Sequence, residues 1–353
     1  MSLQPRVRKT GRFLVSLILL STGLACSGWL FAPPEEALVL EGHEALRRGD
    51  LPAAKTAFLS AFETNERSVP AATGHAYIQL LSGDLEGADR TLGMAEPYAG
   101  DQVGEIRLRR ALVALRSGDL DKVREHGAAS GLPEGLLLAA EVHLTELESD
   151  KATELLGQVQ GADGVVGATA DKYLRMINSG DPNLASLADA TALWALGDRQ
   201  GACKTAEELV KDLPQGDARN IQLLLWAGRS VTSGLPAASR SLLDEMTAPP
   251  QGQEWRVQAT YGMVDVAEGK VRSGLDRFSA LRSEVKTGAV PADGLADAVA
   301  TACGLASSVE VARQLVEGME SVAVARCLME VGDPGAALQQ APPGSLKHFL
   351  ESQ

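Results

Sequence analysis

Side chains able to do chemistry are few in this sequence, and their spacing forms no catalytic or metal-binding motif. None of the five histidines has a second ligand at metal-binding spacing, and His43-Glu44 lacks the second histidine that a zinc-binding helix needs. Gly161, Gly164 and Gly167 recur every three residues, which is more typical of an inter-helix loop than of a phosphate-binding loop. We therefore predict a protein that is not an enzyme and that uses no cofactor and no metal.

The four cysteines are too few to build a disulfide scaffold, but three of them stand out. Cys303 and Cys327 occupy nearly matching positions on two predicted helices near the C-terminus, and in an oxidising compartment they are a candidate disulfide. The alternative is that both are small buried hydrophobic residues, as free cysteines often are. Cys26 follows a small and apolar stretch that resembles the processing site of a bacterial lipoprotein, although Gly23 stands where leucine is usual. Cys26 is therefore a candidate lipidation site.

Composition and charge argue against nucleic-acid binding and against a β-rich fold. The chain has 33 basic and 46 acidic side chains, a net charge of −13, whereas nucleic-acid binding requires basic surfaces. We therefore predict no nucleic acid as partner. Only 4% of the residues are aromatic, which suits a large β-sandwich poorly and favours helices that pack closely through small residues.

The N-terminal sequence predicts the membrane topology and the compartment of the protein. Four cations between Arg6 and Arg12 precede residues 13–31, a stretch of 19 uncharged residues that is just long enough to cross a bilayer. The positive-inside rule then places the basic tail, residues 1–12, in the cytoplasm and the rest of the chain across the membrane. An uncleaved anchor, a lipoprotein signal and a cleaved secretory signal all remain open, and each exports the remainder, to the periplasm in a bacterium.

A repeat follows the linker at residues 32–36. The phrase Gly-Asp-Leu begins at Gly49, Gly83 and Gly118, and each copy has a small residue seven positions before it, a short residue five after it and, in most copies, a large apolar residue nine after it. Such a pattern predicts pairs of helices that meet at a glycine turn and stack on their neighbours. Full and weaker copies predict nine turns, at Gly49, Gly83, Gly118, Leu147, Gly197, Ser233, Gly269, Ser307 and Gly332.

This pattern resembles the tetratricopeptide repeat (TPR), most clearly at Gly42, Gly49, Asp50, Ala54, Phe58 and Ala61 of the first copy. The resemblance implies an all-α fold, a right-handed α-α superhelix, which the N-terminal sequence precedes with one transmembrane or signal helix. The repeat domain would cover residues 37–341, with a cap or tail at 342–353. The long interval between the turns at Leu147 and Gly197 predicts an additional helix around Ala168 to Asn178.

In TPR proteins, residues shortly before each turn tend to face a concave groove that binds proteins. Residues three and six positions before the turns would form an apolar strip, since positions three apart share a helix face. The alternative is that they only pack neighbouring first helices together. We call this set the binding strip: Leu46, Tyr77, Leu80, Leu112, Leu115, Leu144, Trp194, Met263 and Val266.

The sequence therefore predicts a non-enzymatic, membrane-anchored scaffold or adaptor that works in cell-envelope assembly, translocation or secretion. An apolar strip favours an apolar peptide or an amphipathic helix as partner. Without the four N-terminal cations the chain has a net charge of −17, which favours partners with basic flanks. The alternative function is an accessory subunit or regulator of an envelope-synthesis enzyme.

Overall fold

The computed structural model describes residues 33–331 except positions 318 and 320, and in that part of the chain all regular structure is helical, with no strand. The predicted membrane segment, Cys26 and the turn at Gly332 lie outside the described residues, as do the side chains at 321–323. The α-helices are α1 (Pro34–Arg47), α2 (Leu51–Thr64), α3 (Val69–Leu81), α4 (Leu85–Ala95), α5 (Val103–Ser117), α6 (Leu120–Ser130), α7 (Pro133–Thr145), α8 (Ser149–Val159), α9 (Gly164–Ile177), α10 (Pro182–Ala195), α11 (Arg199–Lys211), α12 (Asp217–Thr232), α13 (Pro236–Asp244), α14 (Glu254–Ala267), α15 (Val271–Val285), α16 (Ala292–Gly304), α17 (Val309–Leu315) and α18 (Ser321–Glu330). Two short 3₁₀ helices, Glu96–Tyr98 and Gly100–Gln102, follow α4.

The Gly-Asp phrases form the turns between paired helices. Gly49 takes the left-handed conformation at φ 72°, and the N–H of Asp50 then bonds the carbonyl of Ala45 at 2.9 Å. This closes the end of α1 in the Schellman manner. The Asp50 side chain accepts a hydrogen bond from the Ala53 N–H at 3.0 Å, which caps the start of α2. Thus glycine ends one helix and aspartate begins the next.

The same device recurs along the chain. Asp84, Asp119 and Asp198 each accept a hydrogen bond from the backbone N–H three residues later, at 2.9, 3.2 and 2.9 Å. Each aspartate follows a glycine at positive φ. Eight of the nine predicted turns fall within the described residues, and each of them joins two consecutive helices.

Two of the weaker turns differ in detail from the predicted pattern. Leu147 stands where the Gly-Asp turns have glycine and takes φ 61°, the left-handed conformation that side chains disfavour. In the turn after α12, Gly234 rather than Ser233 has positive φ. The buried contact five residues later is consequently Ser239, whose hydroxyl donates to the Ala227 carbonyl at 2.7 Å, and not Ala238.

Small residues allow large ones to fill the space between helices. The ring of Phe58 is fully buried, and a Cβ added at Gly42 or Gly74 would come within 2.8 or 2.2 Å of it. Phe278 has the same relation to Gly262, where an added Cβ would come within 2.9 Å of the ring. The predicted short residues Ala54 and Ala88 are fully buried as well. Close packing of this kind is sensitive to a single added methyl group.

The chain divides into two compact units, residues up to Ile106 and residues from Arg107. In the first unit, Phe58 lies in a buried cluster with Val39, Ala61 and Ile78. In the second, one continuous apolar core extends from Leu136 to Cys327. Each core draws on several helices, so the helices of a pair depend on their neighbours for burial.

Helix α9 lies between the pairs α7/α8 and α10/α11, which confirms the predicted additional helix. It packs against α7, α8 and α10. Among the helices of residues 33–331, none has both the length and the apolar character that a membrane span requires.

Candidate functional site: a tryptophan–arginine cluster

Trp194, the aromatic member of the binding strip, lies in a cluster of aromatic and cationic side chains. Its ring meets that of Trp226 edge to face, with centroids 6.4 Å apart. The Arg229 guanidinium stacks over both rings, with its central carbon 4.9 Å from the Trp194 centroid and 4.4 Å from that of Trp226. Arg199 covers Trp194 from another side at 5.5 Å. Cations over indole faces are attracted by the ring quadrupole.

The turn between α10 and α11 brings these groups together. Gly197 takes φ 102° and Asp198 caps α11, so Trp194 near the end of α10 and Arg199 at the start of α11 face the same space. Trp226 and Arg229 are three residues apart on α12 and therefore share a face of that helix. Trp194 is partly exposed, whereas Trp226 is fully buried. Trp194 is thus the aromatic ring of this group that solvent or a partner can reach.

Helix α9 contributes Lys172 and Tyr173 to the same region. The buried Tyr173 hydroxyl donates a hydrogen bond to Glu141 Oε1 on α7 at 3.0 Å. Burial raises the pKa of Glu141 to about 7, because the charged carboxylate is poorly solvated there. Burial and the nearby charge of Arg229 lower the pKa of Lys172. We call Lys172, Trp194, Arg199, Trp226 and Arg229 the tryptophan–arginine cluster.

Several hydrogen-bond donors in this region have no acceptor. Trp226 Nε1, Arg229 Nη1 and Ser230 Oγ are all buried without a hydrogen-bond partner. Burial lowers the pKa of Arg229, while the nearby Tyr173 and Cys203 act in the opposite direction. Because buried polar groups normally find partners, three orphaned groups on one helical turn are an exception that needs a physical reason.

The structure places the binding strip in three different environments. Tyr77 in the first unit and Leu112 in the second are exposed, at 47% and 43%. Leu46, Leu80 and Leu115 are partly exposed, as is Trp194. The remaining three members, which are Leu144, Met263 and Val266, are buried in the core of the second unit.

Those three residues correct the sequence prediction, because a buried side chain offers no surface to a partner. Helices α9 and α10 both pack on α7, the helix that carries Leu144. Val266 faces the second helix of its own pair, since a Cβ added at Gly274 would come within 2.7 Å of its side chain. The position of a residue relative to its turn therefore predicts which helix face it lies on, but not whether another helix covers that face.

The cysteines lie where the sequence analysis placed them, at matching positions of neighbouring helices. Cys303 on α16 and Cys327 on α18 are both fully buried, and their sulfurs are bonded at 2.09 Å. Cys203 is a free, buried cysteine on α11. Cys26 is outside the described residues, so its candidate lipidation stays a prediction.

One group of potential metal ligands comes together that the sequence analysis did not identify. Ligand atoms of His143, Glu146 and Glu148 lie within 4.8 Å of one another. His143 Nδ1 already bonds Glu148 at 2.6 Å, and Glu146 pairs with Arg124. These contacts satisfy the three side chains within the protein. The group therefore belongs to the turn at Leu147, where Glu148 stands in the position that aspartate has in other turns.

Sequence reasoning missed Lys172, Arg199 and Arg229. A signal existed for one of them, because a tryptophan and an arginine three positions apart on a helix are placed to stack. Nothing in the sequence indicates that Lys172 on α9 approaches Arg229 on α12, because that proximity depends on how the additional helix packs.

No family model and no curated protein sequence matches this chain. Among solved structures, it is similar to a tetratricopeptide repeat protein from Parabacteroides merdae ATCC 43184, with 13% identity, 76% of this chain and 98% of that chain covered, and a TM-score of 0.36. It is also similar to Naa15/Naa10 bound to HypK-THB (12% identity, 87% of this chain and 57% of that chain, TM-score 0.31). A third similar structure is the P58(IPK) TPR domain, with 14% identity, 87% of this chain and 81% of that chain covered, and a TM-score of 0.27. These likenesses concern the helical fold alone, and the function is inferred from the cluster itself.

Proposed function

We propose that this protein is a non-enzymatic scaffold or adaptor that binds a partner protein at the tryptophan–arginine cluster. One observation carries the proposal: Trp194 is partly exposed at the end of α10, while Trp226 and Arg229 support it from α12. A rigid aromatic side chain held in this way is typical of a binding hot spot. The partner segment would place an apolar side chain against Trp194, as an apolar peptide or an amphipathic helix does.

The proposed location follows from the N-terminus and from the cysteines. Residues 13–31 would anchor the chain, with the helical part outside the cytoplasm, periplasmic in a bacterium. The Cys303–Cys327 bond supports this proposal, because disulfides persist in oxidising compartments. A reporter that is active only outside the cytoplasm, fused after Gln353, should therefore be active. If Cys26→Ala changes neither membrane attachment nor electrophoretic mobility, the lipoprotein alternative is excluded.

Trp194→Ala tests the binding site. The variant should lose capture of its partner from detergent-solubilised membranes by about 30-fold or more, as the loss of a hot spot implies, with little change in melting temperature. Trp255→Ala is a matched control, because Trp255 is also partly exposed under an arginine, Arg256 at 5.3 Å. Trp255 packs against Gly294 of α16, so its loss should lower stability and leave capture intact.

Full capture by Trp194→Ala together with a large fall in melting temperature would overturn the proposal, because Trp194 would then be a core residue. The identity of the captured proteins separates the two functional alternatives. Components of a translocation or secretion machine favour the scaffold, whereas a synthase or hydrolase favours an accessory subunit of an envelope enzyme.

A further inference from the structure

The cations of the tryptophan–arginine cluster lack the acidic partners that Arg219, Arg240 and Arg277 have among the described residues. Arg240 and Arg277 share the carboxylate of Asp265, which is 2% exposed, at 2.6 and 2.9 Å. Arg219, equally buried, donates to the side chain of Glu245 at 3.1 Å. These three arginines therefore have a counter-charge, which offsets the cost of desolvating a cation, whereas Arg282 donates to backbone carbonyls of Leu315 and Glu317 instead.

Arg229 has no such counter-charge. No described residue accepts a hydrogen bond from its guanidinium or forms an ion pair with it, and its Nη1 atom is fully buried. Its contacts are the faces of Trp194 and Trp226. The two indole rings, which meet edge to face, lie against the guanidinium but offer its N–H donors no hydrogen-bond acceptor.

Lys172 adds a second cation without a partner. It is partly buried on α9 and forms no hydrogen bond or ion pair with a described residue. Arg229 is the neighbouring charge that, after burial, lowers its pKa. Two like charges thus approach each other in a chain that has an excess of acidic side chains. An anion between them would relieve both the repulsion and the desolvation.

The neighbouring groups on α12 are also donors. Ser230 and Trp226, both fully buried, present Oγ and Nε1 without partners on the same helical turn as Arg229. The carboxyl group of Glu141, close to α9, is occupied by the Tyr173 hydroxyl. The region therefore combines two cations and two further unpartnered polar groups, and no described carboxylate pairs with either cation.

We propose that Arg229, supported by the positive charge of Lys172, binds an oxyanion beside the exposed part of Trp194: a carboxylate on the partner segment. This inference rests on the proposed function and makes it more specific, because the segment would carry an acidic side chain or chain end next to the apolar residue that covers Trp194. A guanidinium suits this ligand, since its planar donors match the two oxygens of a carboxylate. The net negative charge of the chain favours basic flanks elsewhere on the partner, whereas the local charge of the cluster is positive and favours an acidic group. Free phosphate presents the same chemistry and is the alternative source of the anion.

The test uses the full-length protein in a neutral detergent, with ¹⁵N-labelled tryptophan indoles observed by NMR. The probes are acetyl-Leu-Glu-Leu amide, its matched neutral analogue acetyl-Leu-Gln-Leu amide, and inorganic phosphate. The glutamate peptide should shift the indole signals of Trp194 and Trp226 and bind at least 10-fold more tightly than the glutamine peptide. If phosphate shifts the signals and the peptides do not, the site takes a free anion.

Two variants assign the effect to the cations. Arg229→Met keeps an apolar stem between the rings, and Lys172→Met lies on a partly exposed position that folding tolerates more easily. Each should weaken binding of the anionic probe at least 10-fold. The control Arg256→Met removes the guanidinium over Trp255 and should leave the affinity unchanged.

Equal affinity for the glutamate and glutamine peptides, with no response to phosphate, would overturn the inference. The proposed function would survive that result if Trp194→Ala still abolished capture of the partner while both methionine variants retained it. Conversely, anion binding together with normal capture by Trp194→Ala would leave the anion site in place and remove the proposed function.

Discussion

The buried carboxyl group of Glu141 should make the stability of this protein depend on pH near neutrality. Glu141 is 5% exposed and accepts a hydrogen bond from the Tyr173 hydroxyl. Burial raises its pKa from 4.5 to about 7 in the folded protein. The folded state therefore binds this proton more tightly than the unfolded state does. The resulting stabilisation is complete below pH 4.5 and is lost as the pH rises through about 7.

The size of the effect follows from the two pKa values. Their difference corresponds to about 3 kcal/mol in the free energy of unfolding, of which roughly 2 kcal/mol is lost between pH 5.5 and 8.5. Glu141→Gln removes the titration and keeps an oxygen that can accept from Tyr173. The unfolding free energy of the variant, relative to wild type, should therefore rise by about 2 kcal/mol between these pH values.

Urea unfolding followed by helical circular dichroism at several pH values measures this difference, because all other titrating groups are common to both proteins. Asp189, whose pKa burial raises to about 6, contributes in the same direction at lower pH and is one of these common groups. In Tyr173→Phe the pH at which stability is lost should move upward, since the tyrosine hydrogen bond lowers the pKa of Glu141. Parallel curves for wild type and Glu141→Gln would refute a protonated, buried Glu141.

Four further predictions concern the turns, the packing and the disulfide. Leu147→Gly should raise the unfolding free energy by about 1 kcal/mol, because the left-handed turn penalises a side chain and the leucine is 76% exposed; an unchanged urea midpoint would contradict this. Gly74→Ala should lower stability by about 1–3 kcal/mol, since its Cβ would come within 2.2 Å of an aromatic ring. Gly157→Ala should raise stability by about 0.5–1 kcal/mol, because Gly157 on α8 has open space around its added Cβ. Similar melting curves for Gly74→Ala and Gly157→Ala would argue against the packing described. Reduction of the Cys303–Cys327 bond, whose cysteines are 24 residues apart, should lower stability by about 3 kcal/mol, measured as faster hydrogen exchange in α16 and α18. In urea without reductant both cysteines should resist alkylation. Their alkylation under these conditions would show that the bond is absent.

The sequence was sufficient to predict the helix pairs because their turns use a local code. Glycine at positive φ and aspartate at the N-cap act within five residues of each other, so their spacing along the chain reports the turn directly. Where the code weakens, the prediction shifts by one residue, as at Ser233, where Gly234 makes the turn. The additional helix was predictable for the same reason, since the interval between two recognised turns was too long for one pair.

The binding strip was less predictable because exposure is not a local property. Leu80, Leu115 and Leu144 hold the same position relative to their turns, yet only Leu144 is fully buried. Helix periodicity identifies a face of α7, but burial of that face depends on the helices that pack on α7, among them α9 and α10. A helix outside the repeat pattern thus changes the environment of residues that obey it.

Charge pairing was the least predictable feature, and it is the one on which the proposed site depends. In the sequence, only the tryptophan three positions before it distinguishes Arg229 from Arg219 and Arg240, since each of the three lies on a helix in an acidic chain. Only their surroundings separate them: Glu245 and Asp265 neutralise Arg219 and Arg240, whereas Arg229 has two indole rings and the nearby Lys172. An arginine needed only for folding would be more stable with a carboxylate beside it, and among the described residues Arg229 has none, which is why the proposed site is centred on this side chain.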